Sequence, residues 1–252
     1  MGYQYLIYEK SDRIGWITLN RPEKMNSLNA AMLGEWREAV LAAGEDKEVG
    51  VVVVTGAGRA YCTGLDLKEL EGKDFTAGEV GPAYDDPGNA IIDAIRSIPK
   101  VIIAMVNGPC ITGGLEILLA FDLVVASEDA VFGDTHARWG IRPSWGMSQR
   151  LPRVVGWMNA KDLSFTARIF TAREAKEMGL VNRVVPADRL RVEVTSLAGS
   201  ILQNSLEAVA AIKSLYNEGM NLPLKEALKL ESEKKFVITD TNERLKNFIR
   251  RK

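Results

Sequence analysis

Cysteine and histidine are almost missing from this chain of 252 residues: it has Cys62, Cys110 and a single histidine, His136. That scarcity argues against a disulfide-stapled secreted scaffold and leaves no Cys/His cluster at metal-ligand spacing. Both cysteines read as small buried residues in a reducing, cytoplasmic setting, and the stretch 1–10 lacks the basic-then-apolar pattern of a secretory leader. Net charge is missing as well. With 32 basic and 33 acidic residues the formal balance is −1, so no broad field favours nucleic acid or an anionic membrane surface. Long apolar runs are also absent, and the segments 49–55 and 101–106 fall far short of the roughly 20 residues a membrane-spanning helix needs. No Walker-type phosphate loop, dinucleotide fingerprint or paired metal motif occurs, so no separate cofactor is expected.

What remains is an apolar fraction of 46%, enough for a full core. The pattern predicts strands at 4–9 and 13–19 around a turn at 10–12, a helix over 30–43 and a central strand at 49–55. A loop rich in Gly, Asp and Pro follows at 72–88, then a helix over 91–97, a strand at 101–106, a short helix over 114–120 and a strand at 123–126. Such alternation implies parallel β-α-β units in a layered or spiral α/β core, with ligand sites beyond the carboxyl ends of strands. Beyond about residue 163 helices dominate, at 172–179, 190–204, 206–218, 224–238 and 242–250.

Two glycine-containing loops follow predicted strands, at 56–67 and 107–116. Glycine permits close backbone approach, and the first N–H groups of a helix starting near Gly113 lack intrahelical partners, which suits a developing oxyanion. Either loop alone is more often a tight turn. Glu116, on the same short helix, reads alone as a carboxylate favoured by the helix dipole, a role worth about 0.3–1 kcal/mol.

In combination these segments resemble the crotonase superfamily, the enoyl-CoA hydratase/isomerase family, over essentially the whole chain. The matches are Leu19-Asn20-Arg21-Pro22-Glu23-Lys24-Met25-Asn26-Ser27-Leu28, Tyr61-Cys62-Thr63-Gly64-Leu65-Asp66-Leu67, Val106-Asn107-Gly108 through Glu116, Phe121-Asp122, and the stretch 163–186 with Ala175-Lys176-Glu177-Met178-Gly179-Leu180-Val181. The resemblance implies a crotonase-like α/β spiral of ββα units over 1–187 and a C-terminal helical trimerisation region over 188–252. It also implies a homotrimer, or a homohexamer of two trimers.

By the same resemblance the substrate is an acyl-CoA thioester, with CoA part of the substrate. Its carbonyl would lie between the backbone N–H groups of Leu65 and Gly113, donors of a kind worth about 2.7–4 kcal/mol each to a transition state. Glu116 takes the place of one catalytic glutamate. The other is expected twenty residues on, where this chain has His136, whose ordinary pKa allows acid or base work at neutral pH. The implied reaction is syn hydration of a trans-2-enoyl-CoA to a 3-hydroxyacyl-CoA. Double-bond isomerisation by Glu116 alone and a non-catalytic acyl-CoA-binding role stay open. Asp134 could orient His136 or supply a carboxylate itself. The CoA portion is expected against Lys24, Met25, Leu28 and the segment Cys62, Gly64, Asp66, Leu67, Lys68. Trp139 and Trp145 read either as walls of the acyl pocket or as core.

Overall fold

The computed structural model describes residues 2–72 and 75–250. Strands β1 (Leu6–Ser11) and β2 (Ile14–Leu19) form an antiparallel hairpin. Its turn falls on Asp12 and Arg13, later than expected, because both adopt positive φ (52° and 63°), the requirement of a two-residue hairpin turn matched to strand twist. Helix α1 (Ala30–Glu45) starts where the Asn29 side chain accepts the Met32 N–H at 2.8 Å. Next come β3 (Val51–Gly56), α2 (Pro82–Ser97), β4 (Val101–Val106), β5 (Cys110–Ile111), α3 (Gly113–Leu118), β6 (Leu123–Ser127) and β7 (Val131–Gly133). Then follow α4 (His136–Trp139), α5 (Met147–Val155), α6 (Trp157–Thr166), β8 (Ile169–Thr171), α7 (Ala172–Glu177) and β9 (Arg183–Val185). The chain ends in α8 (Leu190–Leu202), α9 (Leu206–Gly219), α10 (Leu224–Glu233) and α11 (Thr241–Arg250).

Six strands form one sheet in the order β1-β2-β3-β4-β6-β9, parallel from β2 onward, and β5-β7-β8 form a second, smaller sheet. Strand geometry turns successive side chains to opposite faces. Val52, Val54, Ile102 and Ala104 therefore join one apolar cluster with α1, α2 and α3, while Val51, Val53, Val101 and Ile103 join another with Leu190, Val194 and Leu197 of α8. Burial on both faces explains why β3 and β4 read as unbroken apolar runs. Helix α9 is tied to this body by Lys213, whose ammonium donates to Ile95 O (3.1 Å), Lys100 O (2.8 Å) and Asp122 Oδ2 (2.9 Å), the full partnering that a buried cation needs.

Helix α2 begins inside the segment expected to be loop. Pro82 at its first turn and Pro87 and Gly88 within it look like breakers, yet Tyr84, Gly88, Ile91, Ile92 and Ile95 recur on one buried face. Helices α4, α5 and α6 and the strands β5, β7, β8 and β9 are additional to the expected elements. Helix α10 stops at Glu233, short of residue 238, where Lys234 turns extended (φ −66°, ψ 125°). Among the described residues no helix is long and apolar enough to cross a membrane.

Candidate active site

The loops after β3 and β4 are zipped together. Cys62 and Cys110 form a parallel bridge, the Ile111 N–H donates to Cys62 O (2.9 Å), and the N–H groups of Tyr61 and Cys62 both donate to Pro109 O (3.1 Å each). Gly64 (φ +84°) allows the approach: a Cβ there would sit 3.0 Å from Ile111 O and 3.1 Å from Gly113 N. On the other side Leu28 brackets Leu65, donating to Gly64 O (2.7 Å) and accepting from Asp66 N–H (2.9 Å). Among the described residues neither the Leu65 N–H nor the Gly113 N–H meets a protein acceptor. Both residues line one cavity of about 240 Å³, which also takes in Glu116 and His136.

Thr112, the residue before Gly113, has φ 49° and ψ −108°, a backbone region that a β-branched residue enters at a cost of about 1–3 kcal/mol. Every polar group of Thr112 is engaged. Its N–H donates to Gly133 O (2.8 Å) and its C=O accepts the Glu116 N–H (2.8 Å). Its hydroxyl accepts the Thr135 N–H (3.1 Å) and shares a 2.5 Å hydrogen bond with the Thr135 hydroxyl.

Glu116 is 2% exposed because α3 lies wholly inside the core. Its Oε1 accepts the N–H groups of Trp145 (3.1 Å) and Met147 (3.0 Å), which Gly146 (φ +104°) between them allows to converge. Oε2 is left facing His136, with Nε2 3.3 Å away. On the far side of the ring, His136 Nδ1 lies 2.6 Å from Asp134 Oδ1, and Asp134 Oδ2 accepts the Ser164 hydroxyl at 2.6 Å. Burial pulls the His136 pKa down, but hydrogen bonds to Asp134 and Glu116 and their charges outweigh it and raise the value from 6.5 to about 9. Burial likewise works against ionised Asp134, yet its bonds to His136 and Ser164 hold it below the usual carboxylate range. The ring thus lies between Glu116 and Asp134, whose interactions favour its protonated form.

Trp145, 2% exposed, is both core and cavity wall: a methyl added at Gly113 would come within 2.9 Å of its ring, and one at Gly88 within 2.1 Å. Trp139 is 56% exposed at the cavity rim. Of the residues expected against CoA, Leu67 lines the cavity, and the exposed Lys68 shares an adjoining surface groove with it. Lys24 is exposed on the turn Pro22–Lys24, with Met25 (φ 53°) closing that turn. Leu28 and Cys62 are fully buried, and burial pushes the Cys62 thiol up to about 12. Asp66 is bound inward, to Arg21 at 3.1 Å and to the Lys68 N–H at 3.2 Å.

Sequence reasoning singled out Leu65, Gly113, Glu116 and His136, and the fold gathers them on one cavity. It missed Ser164, thirty residues from Asp134, and the Trp145 and Met147 amides, because hydrogen bonds across such separations leave no spacing signal. Thr112 carried a signal that was passed over, a β-branched residue directly before a Gly-Gly pair at a tight turn.

Two unpartnered main-chain donors sharing one cavity with a buried glutamate and a buried histidine are the equipment of an enzyme site. The pattern of the enoyl-CoA hydratase/isomerase family matches residues 9–250. A probable enoyl-CoA hydratase 1, peroxisomal, of Arabidopsis thaliana is 40% identical, over 90% of this chain and 84% of its own. The crotonyl-CoA hydratase of Syntrophomonas wolfei is 35% identical, over 92% and 89%. Among solved structures, the enoyl-CoA hydratase from Bacillus anthracis superposes with a TM-score of 0.86 at 34% identity, over 91% of this chain and 89% of its own. This chain belongs to the enoyl-CoA hydratase/isomerase family of the crotonase superfamily.

Proposed function

We propose that the protein hydrates a trans-2-enoyl-CoA to a 3-hydroxyacyl-CoA, with Leu65 and Gly113 as the oxyanion donors. The observation that carries this reading is the convergence of their two unpartnered N–H groups with Glu116 and His136 on one cavity. Water placed against Glu116 Oε2 gives up a proton to the carboxylate as its oxygen bonds to Cβ. The π electrons move toward the thioester, and its oxygen takes the negative charge between the two N–H groups. The His136 imidazolium delivers its Nε2 proton to Cα, and the carbonyl re-forms. Glu116 then returns the captured proton to His136 across 3.3 Å, which resets the site. Two groups so close serve one face of the planar enoyl system, so addition is syn.

CoA enters as part of the substrate and no separate cofactor takes part. Lys24 and Lys68 provide cations for its phosphates, with Met25, Leu28, Cys62, Gly64, Asp66 and Leu67 shaping the strand and turns beside it. Large exposed apolar side chains on α9, α10 and the turn between them, among them Tyr216, Met220, Leu224 and Leu228, support assembly as a homotrimer or a homohexamer. Two buried free thiols fit a reducing compartment such as the cytoplasm.

Incubation with 2-enoyl-CoA and with 3-enoyl-CoA, followed by absorbance of the conjugated thioester, tests the reading. Hydration removes the absorbance of the first. Creation of that absorbance from the second would identify an isomerase, and retention of both ligands unchanged would identify a binding protein.

A further inference from the structure

We propose that Thr112 is a positioning residue, and that its hydroxyl pair with Thr135 holds the oxyanion donor and the acid/base pair in one register. The Gly113 N–H belongs to the peptide unit whose orientation is set by ψ of Thr112. That unit's carbonyl is fixed by the Glu116 N–H at 2.8 Å, and in a trans peptide the N–H points the opposite way, on a residue that lines the cavity. Nothing on the N–H side itself holds the plane. The carbonyl bond holds the plane against rotation, and the Thr112 side chain anchors the Cα from which the plane extends, through the 2.5 Å bond to the Thr135 hydroxyl and the 3.1 Å bond from the Thr135 N–H.

Thr135 directly precedes His136, and the Thr112 N–H is bound to Gly133 O at 2.8 Å, so the tie spans the stretch that carries Asp134 and His136. One residue therefore touches the carbonyl-binding half of the site, the Glu116 backbone and the histidine segment. Its φ of 49° is the kind of strained conformation that persists only where its surroundings over-determine it.

Glycine adopts this backbone without strain and lacks the hydroxyl, so Thr112→Gly separates folding from positioning. This proposal rests on the hydration reading for its kinetic arm alone. Thr112→Gly is expected to keep or raise the thermal midpoint and to leave KM for crotonyl-CoA within about threefold, while lowering kcat at least about tenfold. Thr112→Ser restores kcat to within about threefold of the parent, Thr135→Val resembles Thr112→Gly, and the double variant is no worse than either single one. A second readout needs no turnover: the infrared carbonyl stretch of bound butyryl-CoA carrying carbon-13 at C1. It should lie below its solution frequency in the parent and return toward it in Thr112→Gly and Thr135→Val. A parental frequency and kcat in both variants would overturn the proposal. An unshifted carbonyl in the parent overturns the oxyanion reading and this proposal together, whereas a shift that Thr112→Gly abolishes without any turnover supports the proposal and removes hydration alone.

Discussion

The two halves of the site are made of different material. The half proposed to bind the carbonyl consists of main-chain amides, Leu65 and Gly113, held by loop-to-loop hydrogen bonds and close glycine contacts. The proton-moving half is a line of side chains, Glu116, His136, Asp134 and Ser164, each oriented by the next. Amides do not titrate and, short of proline, survive any substitution, so the first half responds to backbone geometry. The second responds to pH and to the loss of a single functional group.

The largest expected effect separates the halves outright. Glu116→Gln should lower hydration about 10²–10⁴-fold, because it removes the base that takes the proton from water while keeping shape. The dissociation constant for butyryl-CoA, measured by calorimetry, should barely move, since the amides still bind the carbonyl. Equal losses of affinity and turnover would mean that the two halves are not separable.

A pH series sharpens the contrast. With His136 raised to about 9 by its carboxylate neighbours, the protonated donor prevails across neutral pH. Hydration should therefore be flat up to about 9 and then fall about tenfold per pH unit. The raised folded value also means that the stabilisation from these ion pairs is fully present below 6.5 and is lost as pH rises through about 9. His136→Ala should erase the kinetic limb, and thermal melts should show its stability counterpart vanishing with it. A limb that survives in the variant would remove His136 from the reaction.

The smallest effect concerns Trp145, which belongs to both halves: its amide holds Glu116 and its ring rests on Gly113. Trp145→Phe opens the wall while keeping the amide, so the ratio of kcat/KM for octenoyl-CoA to that for crotonyl-CoA should rise about tenfold, with total activity on crotonyl-CoA lower. An unchanged ratio would show that the ring does not bound the acyl chain.

The same contrast explains what could be read from the residues. Strands β3 and β4 are apolar on both faces and announce themselves, and the glycine loops that follow carry the family pattern, so the carbonyl-binding half was legible. Glu116 and His136 were legible by position, but the chemistry of His136 was not. Its pKa depends on Asp134, held by Ser164 from another helix, and on Glu116, held by amides of a segment whose helix went unforeseen. Helix α2 was obscured because Pro87 and Gly88 are loop formers by propensity, and the buried face that overrides them becomes visible only when Trp145 packs against Gly88.

The tether on Glu116 Oε1 carries one further consequence. With that oxygen fastened by amides 29 and 31 residues downstream, Oε2, beside His136, is the oxygen turned toward the proposed water. In the proposed reaction, two peptide groups that never meet the substrate's reacting carbons thus help to set the face from which water adds.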